Sequence, residues 1–149
     1  KEFERAISKK VAGLFSKSDP ESPHKGFPGV SISINSFHNN IKLRLTGLVD
    51  AKGKEEAVYN NRGFHDDTWR NFVFQKRGKT LMIYVNSVKI ASREVTTFDT
   101  YKNKSMVVIG ANHGARKAHN YLGRIDELRV YTRALSSREI KGLYDYESH

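Results

Sequence analysis

Val30-Ser31-Ile32-Ser33-Ile34-Asn35 and, beyond the polar turn Ser36 to Asn40, Ile41-Lys42-Leu43-Arg44-Leu45-Thr46 are the stretches that decide the fold class. In each, apolar and polar residues alternate strictly. A period of two puts the apolar side chains on one face of an extended chain and the polar ones on the other. The two runs predict a hairpin in an antiparallel sheet with one wet face.

The pattern continues downstream. Asp50 to Glu56 is a charged turn, Ala57 to Asn60 a short strand, and Asn61 to Thr68 a polar loop. Trp69 to Lys76 reads as a strand that Arg77-Gly78-Lys79 turns into Leu81 to Asn86. Leu81 to Asn86 carries apolar residues of both parities, which predicts a central strand. Asn86-Ser87 reads as a two-residue turn into Val88 to Val95; such turns need φ > 0 at both central residues and favour Asn-Gly, so Ser87 is second best. Met106 to Gly110 is a further strand, and Ala111 to Asn120 a basic loop with two histidines. Tyr121 to Tyr131 is predicted as the last strand. Its apolar phase shifts from Ile125 to Leu128 and Val130, which implies a β-bulge at Asp126-Glu127. Upstream, Phe3, Ile7, Val11, Leu14 and Phe15 fit either a helical stripe or two short strands, and the strands downstream favour the latter. Ser18 to Gly29 holds all three prolines and reads as a loop.

A helix closes the chain. Ser136 is its N-cap, Glu139 completes a capping box, and Leu135 is placed to staple onto Ile140. The cap is worth about 1 kcal/mol. Ile140, Leu143 and Tyr144 form the apolar stripe. The fold class is therefore all-β, a two-sheet antiparallel β-sandwich with a short C-terminal helix.

The length of 149 residues suits a single domain over 1–149, and 38% hydrophobic residues suffice for a core. No apolar run reaches the ~20 residues that span a bilayer. Without cysteine there is no disulfide, no thiolate metal site and no cysteine nucleophile. The net charge of +10 attracts anionic partners or serves solubility. It is spread over strands and loops, and no specific nucleic-acid motif appears.

Gly123-Arg124-Ile125-Asp126-Glu127-Leu128-Arg129-Val130-Tyr131-Thr132-Arg133-Ala134-Leu135-Ser136, followed by Glu139-Ile140 and Leu143-Tyr144, resembles the closing signature of laminin-G-like, concanavalin A-like jelly rolls. Asp67-Thr68-Trp69 and Leu81-Met82-Ile83-Tyr84-Val85-Asn86 resemble the same family's central hairpin. The resemblance covers about Lys17 to Tyr146. It departs at Ser87, where the family has a turn glycine, and at the start, where the family has one or two strands more. Either Phe3 to Phe15 supplies an abbreviated version, or the chain is a fragment whose sheet a partner segment completes. The resemblance implies an extracellular or cell-surface domain that binds a glycan or an extracellular protein, commonly as part of a larger secreted protein.

Glucanases of this fold use a Glu-x-Asp-x-(x)-Glu run for acid, base and nucleophile roles. This sequence has no such run, and neighbours such as Asp66-Asp67 point opposite ways on an extended chain. Enzymatic activity is not expected. The resemblance makes Asp126 the metal candidate, toward a structural calcium (Ca2+) held largely by carbonyl oxygens. The other reading is an Asp126 that accepts backbone N–H groups at a bulge. Trp69 reads as a core residue, with an exposed sugar-stacking platform as the alternative; Phe74 and Tyr84 read as core. The ligand candidates are His113, Arg116, Lys117, His119, Asn120 and Tyr121 in one loop, and Asn60, Arg62 and His65 at a second. Guanidinium, ammonium, amide and aromatic groups together suit an acidic sugar. Ala111 to Lys141 holds seven basic residues against three acidic ones. His113 and His119 lack a third zinc ligand. The expected function is a non-catalytic, lectin-like carbohydrate-binding module, or alternatively a protein-interaction β-sandwich.

Overall fold

The computed structural model describes residues 11–18, 29–37, 40–49, 55–60, 68–94, 106–111, 120–121 and 123–147. Eight strands and one helix lie within them: β1 (Val11–Ser18), β2 (Gly29–Phe37), β3 (Asn40–Val49), β4 (Glu55–Asn60), β5 (Phe72–Arg77), β6 (Thr80–Val85), β7 (Val88–Glu94), β8 (Val108–Ile109) and α1 (Ser137–Glu147). They form a five-stranded sheet in the order β4-β3-β2-β1-β8 and a three-stranded sheet in the order β5-β6-β7. Neighbouring strands are antiparallel throughout both sheets.

The alternating stretches form the predicted β2–β3 hairpin. Its register sets Ile32 opposite Leu45 and Ile34 opposite Leu43. The wet face is corrected in part. Ser16, Ser31 and Ser33 share the face turned away from Ile32 and Ile34, by the pairing of β1 with β2. Yet Ser16 and Ser33 are fully buried. Alternation sets which residues share a face, but not whether that face meets water.

The three-stranded sheet is apolar on both sides, as the mixed parity of β6 predicts. Leu81, Ile83 and Val85 point inward and join Ile34 in the main core, with Leu14, Val30, Ile32, Phe72, Phe74 and Ile90 around them. Phe72 and Phe74 stack with ring centroids 6.2 Å apart. Met82 and Tyr84 point outward into a second cluster with Leu135, Ile140, Val73 and Leu143. The helix thus lies on the outer face of the smaller sheet. Burying one such side chain contributes about 1.5–3 kcal/mol.

The two hairpin turns follow from backbone chemistry. Asn86 and Ser87 have φ of 47° and 63°, the left-handed pair that a two-residue turn needs. Arg77 pairs with Thr80, so Gly78, at φ 54°, is the first central residue of the other turn.

The capping box forms as predicted. Glu139 N–H donates to Ser136 Oγ at 3.2 Å, and Ser136 N–H donates to Glu139 Oε2 at 2.7 Å. Leu135 and Ile140 meet in one buried cluster, as a hydrophobic staple requires. Leu135 is also gripped by β5: its N–H donates to Gln75 Oε1 at 2.9 Å, and its carbonyl accepts from Arg77 Nη2 at 2.8 Å.

The predicted strand Tyr121 to Tyr131 is not one. Its described residues join neither sheet, and Ile125, Leu128, Val130 and Tyr131 are exposed. Glu127 has φ of 49°, which turns the chain out of the pleat where the apolar phase breaks.

Candidate functional site

His113, Arg116, Lys117, His119, Arg62 and His65 lie outside the described residues. Asn60 ends β4, its backbone opposite Leu43. Asn120 is exposed and forms an isolated bridge to Gly13. Tyr121 turns toward the main core; its N–H donates to Gly110 O at 2.7 Å. Burial raises its hydroxyl pKa. The Tyr121 ring lies where a Cβ on residue 123 would stand, so Gly123 accommodates it only by lacking a side chain.

Asp126 Oδ1 accepts the N–H of Glu127 at 2.8 Å. The backbone-acceptor reading of Asp126 thus has its geometry, at a left-handed residue rather than at a ladder bulge. Among the described residues no three His, Cys, Asp or Glu side chains gather as a metal set. A calcium ion at Asp126 would take most of its ligands from carbonyl oxygens.

Trp69 and Arg124 form an exposed aromatic–guanidinium pair. The reading of Trp69 as core is corrected: 59% of it is exposed. It precedes β5, ahead of the alternation that buries Phe72 and Phe74. The Arg124 guanidinium stands 5.9 Å from the centroid of its ring, within cation–π range. In the sequence Arg124 is marked only as one cation within the closing signature. The signal for Trp69 was its setting, with Asp67 and Thr68 before it and Arg70 and Asn71 after it.

Both arms of this pair are anchored nearby. Asn71 N–H donates to Asn86 Oδ1 at 3.0 Å, and Asn86 N–H donates to Asn71 O at 2.9 Å. Asn71 Nδ2 donates to Glu147 Oε2 at 2.7 Å, while Arg129 ion-pairs with the other Glu147 oxygen and with Glu127. The end of α1 therefore ties the Trp69 segment to the Arg124 segment. A carboxylate in the last turn opposes the helix dipole, and these two partners offset that cost. Among the described residues, Asn71 Oδ1 and Gln75 Nε2 are buried without a hydrogen-bond partner.

No helix among the described residues is long and apolar enough to cross a membrane. No curated protein matches the chain. Among solved structures, the chain is similar to an S-layer domain-containing protein from Clostridium thermocellum, at 20% identity and a TM-score of 0.42. The match covers 91% of this chain, which spans 63% of the length of that one. The profile of the laminin-G-like branch of the concanavalin A-like lectin/glucanases superfamily matches residues 10–141. With two antiparallel sheets and a match over most of its length, the chain belongs to the concanavalin A-like lectin/glucanase superfamily.

Proposed function

We propose that this domain is a non-catalytic glycan-binding module of a larger secreted or cell-surface protein, with Trp69 and Arg124 as its sugar-contacting platform. The exposed indole carries the reading. A large aromatic ring left in water, beside a guanidinium, suits the apolar face and polar rim of a pyranose. The net charge of +10 supports an anionic glycan. The basic loop with Arg116 and Lys117 belongs to the proposal as a further source of charged donors. Trp69 is the chain's one tryptophan, so its emission reads the platform directly. Titration with a glycan panel is expected to shift that emission, and Trp69→Ala to abolish binding measured by calorimetry. No binding of any glycan class at millimolar concentration would sink the proposal.

A second reading, a protein-interaction sandwich, draws on a different observation. Met106, Val107, Ile109, Leu128 and Val130 are all about half exposed or more, which is the raw material of an apolar contact surface. Retention of a protein partner by the Trp69→Ala variant would favour it.

A further inference from the structure

We infer that Arg124 is the specificity-determining residue of this platform, a guanidinium that covers the Trp69 ring and admits acidic sugars over neutral ones. This rests on the glycan-binding reading above. Between Gly123 and α1 lie three arginines with different commitments. Arg129 is paired with Glu127 and Glu147, and Arg133 with Glu139. Arg124 meets no carboxylate among the described residues; its contact is the indole.

A cation–π contact at an exposed site is weak, whereas a planar guanidinium gives a carboxylate or sulfate two parallel charge-assisted hydrogen bonds. An acidic sugar can take those bonds while its apolar face lies on the ring. Any sugar that lies on the ring moves Arg124 aside, and a neutral one does so without satisfying its charge. The Asn71–Glu147–Arg129 bridge ties together the two segments that carry Trp69 and Arg124.

The test compares the wild type, Arg124→Gln, Arg124→Lys and Trp69→Ala by calorimetry, with tryptophan emission read in the three proteins that keep Trp69. The probes are a sulfated heparin-type hexasaccharide, a galacturonate hexamer and neutral cellohexaose. The wild type is expected to favour the acidic probes. Arg124→Gln is expected to weaken them about tenfold, as for the loss of one charged hydrogen bond, and to hold cellohexaose as well or better. Arg124→Lys keeps the charge without the fork and should fall between. Iodide quenching of Trp69, taken relative to acrylamide, should drop in Arg124→Gln. Both residues are exposed, so equal melting temperatures are expected and would confirm intact folds. Acidic-probe binding with an unchanged acidic-to-neutral ratio in Arg124→Gln overturns the role of Arg124 and leaves the glycan reading standing. Silence of the wild type toward all three probes overturns the acidic-sugar selectivity, and silence toward the wider glycan panel ends the glycan reading as well. Competition by polyglutamate as strong as by the sulfated hexasaccharide points to an acidic protein instead and overturns sugar selectivity.

Discussion

The β6–β7 hairpin and the segment from Gly123 to Tyr131 carry similar apolar signatures, yet only one became a ladder. In the hairpin, Asn86 and Ser87 accept left-handed backbone, so β7 returns beside β6 at once. Ile83 is then fully buried. The later segment has a left-handed residue in its middle, at Glu127, and Val130 remains 75% exposed. A left-handed residue between two strands makes a turn, whereas one inside a strand aims the two halves differently. Alternation thus proposes a face, but a partner edge must be within reach before that face is buried.

The largest test of this contrast is a pair of truncations. Ile83→Ala should cost about 2–5 kcal/mol in urea unfolding, and Val130→Ala less than about 0.5 kcal/mol. Comparable losses would mean that the segment is buried in solution.

A middle-sized effect belongs to the cap that follows the segment. Ser136→Ala should lose about 1 kcal/mol. Glu139 adds a pH signature. Its pKa is lowered from 4.5 to about 2, first by the hydrogen bond from Arg133 and then by the backbone and hydroxyl of Ser136. A lowered folded-state pKa means that the carboxylate stabilises the fold fully above about pH 4.5. That contribution fades as the pH falls through about 2. In Glu139→Gln the acid loss of helix signal in circular dichroism should be shallower than in the wild type. Parallel acid curves for the two proteins would refute the linkage.

The smallest effect lies in the hairpin turn. Ser87 holds φ of 63°, a conformation glycine adopts without strain. Ser87→Gly should raise stability by up to about 1 kcal/mol, read as a higher melting temperature. A loss would show that the Ser87 side chain makes a compensating contact.

The turn at Asn86-Ser87, the double-sided burial of β6 and the capping box at Ser136 were all legible, because each depends on residues close in sequence. Trp69 was not. It adjoins a strand that is apolar on both faces, and nothing local reveals that the strand begins only at Phe72. Arg124 was one cation among many, because its meaning depends on a ring 55 positions away. Ser33 reads as a wet-face residue and is buried, since cover is a property of the assembled layers.

By itself, the sequence determined the two-residue period, the turn chemistry and the helix cap, which are settled by sterics and hydrogen bonds within a few residues. Only the tertiary structure decided which apolar faces found a partner, and it alone set Arg124 over an indole left in water. Burial and electrostatic pairing depend on distances between segments, and these exist only once the sheets have stacked and α1 has docked.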